Sequence, residues 1–173
     1  MYLISAYFDE QTSKTIERYS KQIAEKTGNT FMIDNHVPPH LTISSIEARN
    51  GQMLVEPVKE LTKYLKKGDI QFVSVGMLFP YVMYVTPVLN EYLFDMSKQI
   101  YDVVSKIPMV SISKYYQPMQ WLPHVTLGKT LTKEQMQIAF TIMQDRFAVF
   151  DGKITKIGLA KTNPHEDIFI VDL

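Results

Sequence analysis

Pro39-His40-Leu41-Thr42-Ile43 returns as Pro123-His124-Val125-Thr126-Leu127, 84 residues further along a chain of 173. The same step lays Gly68 on Gly152, Ile70 on Ile154 and Pro80 on Pro164, and sets Leu54, Val55 and Val58 on Ile138, Ala139 and Ile142. These matches fall in helix-like, turn-like and strand-like stretches, so an internal duplication accounts for them better than one lucky pentapeptide. The copies occupy residues 1 to about 80 and about 81 to 173 of a single domain, a length that suffices for one core.

Working outward from the motifs, each copy shows the same run of elements. Tyr2 to Phe8 is strand-like, and Ile16, Tyr19, Ile23 and Ala24 recur at helical spacing before the stop signal Gly28. The first motif continues as a strand to about Ile46. Leu54, Val58, Leu61 and Leu65 form a second helical stripe, with Gly68 expected to end it. Two strands follow between Ile70 and Thr86, broken near Pro80. Thr86-Pro87 predicts the next helix start, ahead of Leu89, Tyr92, Leu93, Met96, Ile100, Val103 and Val104, and Pro108 bars continuation. Residues 108–121 read as an aromatic-rich loop. Thr132 and Gln135 have capping-box spacing before Met136, Ala139, Phe140 and Met143, and two strands about the Asn163-Pro164 turn close the chain. Strand, helix, motif strand, helix, strand, repeated, predicts an α+β fold. It is a duplicated, bilobal arrangement in which two antiparallel sheets face a central cleft, with helices outside and a pseudo-twofold axis between the halves.

Alternation along a strand puts residues i and i+2 on one face. His40 and Thr42 therefore project together, as do His124 and Thr126, while Leu41, Ile43, Val125 and Leu127 turn into the core. Packed about a twofold, two imidazoles and two hydroxyls meet in one groove. One imidazole can act as a base while the other, protonated, acts as an acid near neutral pH. Threonine hydroxyls suit the non-bridging oxygens of a phosphate, where charge gathers in the transition state. No carboxylate stands at metal-ligand spacing around either motif, so neither a metal nor any other cofactor is expected.

The paired motifs resemble those of the two-histidine (2H) phosphoesterase superfamily, which includes the bacterial 2′-5′ RNA ligase-like proteins. The family pattern is two H-x-[T/S]-x motifs about eighty residues apart in a duplicated bilobal fold. Lys129 matches the basic residue that often follows the second motif, and Phe79-Pro80-Tyr81-Val82-Met83-Tyr84-Val85 resembles the central hairpin. After the first motif the chain reads Ser44-Ser45-Ile46-Glu47, where many ligase-like members have a glycine-containing turn. The resemblance implies metal-independent action on 2′,3′-cyclic phosphates or 2′-5′ linkages of nucleotides or short RNA. In that reading His40 and His124 are catalytic, and Thr42, Thr126 and Lys129 hold the phosphate. Ligation, the reverse reaction, would use the same residues, and a non-catalytic binder of nucleotides or RNA ends is the alternative from another class.

Composition narrows the partners. Eighteen basic and eighteen acidic side chains cancel, which argues against a non-specific grip on long nucleic acid and for a short ligand or an end. The absence of cysteine removes disulfides, thiolate nucleophiles and thiolate zinc sites, and suits a reducing compartment. No signal-peptide pattern follows Met1 and no apolar run spans a bilayer, so a cytoplasmic monomer without membrane contact is expected. Tyr116 and Trp121, with Tyr115, precede the second motif and are candidates to stack a nucleobase or to cap the sheet. His36 and His165 either line the cleft, supply a metal ligand together with the motif histidines, or are simply solvated turn histidines. A histidine-based metal protein is disfavoured, because only four histidines exist and each motif pairs its histidine with threonine.

Overall fold

The computed structural model describes residues 1–162 and 166–173; the Asn163-Pro164 turn, the Pro80/Pro164 match and His165 lie outside the described residues. Eight strands form one antiparallel sheet: β1 (Tyr2–Phe8), β2 (His40–Ala48), β3 (Gly68–Leu78), β4 (Val82–Pro87), β5 (Val110–Ile112), β6 (Val125–Gly128), β7 (Phe150–Lys161) and β8 (Glu166–Asp172). Their order is β5-β2-β1-β7-β3-β4-β6, with β8 added on β7.

Without the additions β5 and β8, that order reads β2-β1-β7-β3-β4-β6, and exchanging the halves of the chain returns it unchanged. The motif strands β2 and β6 swap, β1 and β4 swap, and β3 and β7 swap. The β3–β7 register agrees: Gly68 pairs with Ile154 and Ile70 with Gly152, so each pair is the image of the other under the 84-residue step. The expected two sheets are thus two halves of one hydrogen-bonded surface, joined where Gly68–Phe72 meets Phe150–Ile154.

Helices cover one face of that surface. α1 (Glu10–Thr27), α3 (Gln52–Thr62), α4 (Glu91–Val104) and α5 (Lys133–Arg146) pack as the pairs α1/α5 and α3/α4, and α2 (Phe31–Asp34) is a single turn. The stripe Ile16, Tyr19, Ile23 and Ala24 of α1 is buried, and Gly28 ends the helix at φ 71, a backbone conformation that costs glycine little. These stripes bury Ile4, Ala6, Leu41, Ile43, Val125 and Leu127 in a common core. No described helix is long and apolar enough to cross a membrane.

Several local expectations are corrected. α4 starts at Glu91, not after Thr86, because β4 runs on through Pro87 and the Asn90 side chain accepts from Leu93 N at 3.0 Å as the cap. Leu89 consequently stays 43% exposed. Gly68 opens β3 rather than stopping α3, which ends at Thr62. The Leu54/Ile138 match fails too: Leu54 is fully buried and Ile138 is 42% exposed. α5 begins 81 residues after α3, so the buried faces align as Val55 with Met136 and Val58 with Ala139. Phe140, placed in the apolar stripe by periodicity, is half exposed and lies along a groove with Met77 and Phe79. Residues 110–112, read as loop, add β5 to the edge of β2. The capping box of α5 forms as expected, with Thr132 N donating to Gln135 Oε1 at 2.9 Å and Gln135 N to Thr132 Oγ1 at 3.2 Å.

Candidate active site

Although β2 and β6 stand near opposite ends of the strand order, Cα atoms of the two come within 8 Å of each other. The sheet therefore curls until its motif strands meet along a seam. Trp121 ties that seam: its indole Nε1–H donates to the Thr42 carbonyl at 3.0 Å, from the segment leading into the second motif to the strand of the first.

His40 is the first residue of β2 and His124 immediately precedes β6. His40 Nδ1 lies 2.8 Å from the Pro38 carbonyl, and His124 Nδ1 lies 2.9 Å from the Leu122 carbonyl. Pro38 and Leu122 are themselves 84 residues apart, so the anchoring is duplicated with the motif. Each is followed by proline, which forces it into extended backbone. A carbonyl only accepts, so Nδ1 carries a proton in both rings and Nε2 is left as the nitrogen that can exchange one. Both imidazoles are half-buried.

Thr42 is buried and Thr126 half-buried, each two residues beyond its histidine on the same face. A tyrosine stands beside each imidazole. The Tyr84 and His124 ring centroids are 5.2 Å apart, and those of Tyr7 and His40 are 6.3 Å apart. Each tyrosine ring lies on a glycine of the next strand. A Cβ on Gly76 would collide with the Tyr84 ring, and one on Gly158 would stand 2.9 Å from Tyr7. Neither tyrosine stands out in the sequence as a site residue. The only signal for Tyr7 is the alternation Ile4, Ala6, Phe8 inward against Ser5, Tyr7 outward, and Asp167, to which Tyr7 reaches, is 160 residues away.

The remaining candidates separate. Trp121 is corrected as a stacking platform: it is 6% exposed and packed in the core, so its ring braces the seam. Tyr116 is half-buried against the core, and burial pushes its phenol pKa up. Tyr115 is 67% exposed, with the Lys114 ammonium 5.2 Å from its ring centroid. Lys129 is exposed directly after β6, its ammonium 5.7 Å from the Phe31 ring centroid. His36 is exposed and lines a groove of about 380 Å³ with Lys21, Pro38, Pro39 and Thr126. A larger cavity of about 700 Å³ lies away from both motifs, at the β3–β7 junction, where Asp9 and Asn90 are occupied as helix caps.

No family model and no curated relative matches the chain. Solved structures do. A structure of Escherichia coli LigT complexed with 3′-AMP superposes over 99% of this chain and 97% of that one, with TM-score 0.62 and 11% sequence identity. A structure described as a phosphoesterase covers the same shares with TM-score 0.59 and 12% identity. At such identities the likeness is one of fold. The chain has the LigT fold, the architecture that the paired motifs led one to expect, and it carries an H-x-T motif at each of the two seam strands.

Proposed function

We propose that this protein is a phosphoesterase that uses no metal, acting on 2′,3′-cyclic phosphates or 2′-5′ linkages of nucleotides or short RNA, with His40 and His124 as its acid–base pair. The observation that carries this reading is the twin anchoring of the imidazoles through Nδ1. It presents two like Nε2 atoms from the two strands of one seam, beside two threonine hydroxyls. One Nε2 takes a proton from water as the water oxygen bonds to phosphorus. The other, protonated, gives its proton to the ribose oxygen as the phosphorus–oxygen bond to it breaks. Thr42, Thr126 and Lys129 receive the non-bridging oxygens, whose charge grows in the transition state. The 3′-AMP in the LigT structure supports a nucleotide as the class of ligand. The zero net charge supports a short one.

The test is turnover of a panel of 2′,3′-cyclic nucleotides and 2′-5′ dinucleotides by wild type and the two single histidine-to-alanine variants, in excess chelator. Hydrolysis that persists with chelator and collapses in both variants supports the proposal. Activity lost to chelator and restored by one particular metal would sink it.

A further inference from the structure

The segment that leads into each motif crosses to the other motif strand. Residues 110–121 run along β2, where Ser113 N donates to the Ser45 carbonyl at 2.9 Å and Trp121 Nε1 to the Thr42 carbonyl at 3.0 Å. Residues 31–37 lie beside β6 in the same way. Under the 84-residue step Trp121 falls on Val37. The step holds at this point of the backbone, because the next residues, Leu122 and Pro38, place their carbonyls alike, each on the Nδ1 of its own histidine. What fills the two places differs. In the second half the indole is 6% exposed, in one core with the fully buried Val104, and Tyr116 packs against that core. In the first half the same three positions hold Val37, Ser20 and Met32, each smaller than its counterpart. With Thr126 they line the groove of about 380 Å³.

We propose that this groove takes a purine base, seated beside Thr126 as the Trp121 indole is seated beside Thr42. The inference rests on the proposed action on nucleotides and names which nucleotides the site favours. Indole and purine are both flat, fused two-ring systems with an N–H edge, so the space that one half fills with its own side chain has the shape for the other. The N–H groups of a purine have an acceptor in the Thr126 carbonyl, the counterpart under the duplication of the carbonyl that Trp121 bonds. Val37, Met32 and Pro38 give the groove aliphatic walls for the ring faces, and Ser20, Lys21 and His36 line it with groups for the base edge. Glu17 lies one turn from Lys21 on α1, and their opposite charges favour a neutral base over a second phosphate. The groove falls within the usual size of ligand pockets, about 300–1,000 Å³. A single-ring pyrimidine would leave part of it empty and forfeit contacts with its walls.

Val37→Trp gives the first half the indole that the second half already has, and so plugs the groove. Calorimetry measures Kd for adenosine and cytidine 3′-monophosphates with wild type and variant. Both proteins are also assayed for kcat/KM on adenosine and cytidine 2′,3′-cyclic phosphates, and urea unfolding checks that the variant is folded. Wild type should favour the purine of each pair by about tenfold or more, the scale on which a pocket discriminates against a ligand that underfills it. Val37→Trp should weaken purine binding until the ratio nears one. Equal or undetectable binding of both nucleotides by wild type, or a folded Val37→Trp that keeps the purine preference, would overturn the proposal. Should Val37→Trp prevent folding, Ser20→Val copies Val104 and narrows the groove with one small side chain. The purine preference should then shrink, and its persistence at the wild-type ratio would count equally against the groove. If neither cyclic substrate is turned over, the proposed function fails, and the Kd ratios still decide whether the groove holds the purine. Turnover without purine preference leaves the proposed function standing and removes this inference.

Discussion

Asp69 and Lys153 lie directly opposite one another in the β3–β7 pairing, their charged groups 3.8 Å apart, and each is the other's equivalent under the 84-residue step. The pseudo-twofold therefore passes through this pair. A true twofold would place identical residues there, face to face. Two aspartates or two lysines would repel across the junction that joins the halves, whereas the diverged pair attracts.

The attraction itself is small. The side chains are 86% and 48% exposed, and water screens such a pair. Asp69→Asn should change unfolding free energy by less than about 1 kcal/mol. Asp69→Lys, which restores like charges on the axis, should cost more than Asp69→Asn, and salt should reduce the gap. Urea unfolding of both variants at low and high salt measures this.

For the proposed chemistry, His40→Ala and His124→Ala should each lower turnover by about a hundred- to ten-thousandfold, the usual range for a lost acid or base. The double variant should fall far short of the product, because both groups serve one proton-transfer step. Thr42→Ala and Thr126→Ala should cost less each, since other donors still hold the phosphate. Steady-state turnover on a 2′,3′-cyclic substrate checks all five. Near-wild-type turnover in the histidine variants would remove them from the mechanism.

What the sequence made legible is what repeats locally. The H-x-T motifs, the buried stripe of α1 and the capping box at Thr132 depend on neighbours a few residues away, and periodicity reveals them. Two kinds of feature escaped. Boundaries slipped where two local signals competed: Thr86-Pro87 has the chemistry of a helix start, but pairing with β3 and the Thr86 bond to Pro123 keep it in the strand, and Asn90 caps instead. Long-range partners left no local trace. Nothing near Tyr7 announces Asp167, and nothing near Trp121 announces the Thr42 carbonyl.

Trp121 offers a test of the seam. Trp121→Phe retains an aromatic ring in the core, gives up the indole N–H together with part of the ring volume, and leaves the Thr42 carbonyl without that donor. Stability should fall by about 1–3 kcal/mol, the range for a buried polar group left unsatisfied. Because Thr42 sits two residues from His40, turnover should fall as well. A variant as stable as wild type, by thermal or urea unfolding, would show that the seam does not depend on this bond.

Gly76 tests the wall beside His124. The phenol end of Tyr84 lies over Gly76 because glycine has no Cβ, and the methyl of alanine would meet its Cζ and hydroxyl, beside the fully buried Met83 and Val85 of the same strand. Gly76→Ala must therefore push Tyr84 outward, on the face where it meets His124 at 5.2 Å between centroids. Overpacking of this kind costs about 1–3 kcal/mol. The displaced ring should also lower kcat by disturbing the imidazole that it adjoins. If ring collision is the cause, a smaller side chain at 84 relieves it. Gly76→Ala should then cost much less in a Tyr84→Leu background than in wild type, a coupling between touching residues that a double-mutant cycle reads directly. Equal costs in the two backgrounds would mean that Gly76 is required for the conformation of β3 and not for the seat of Tyr84.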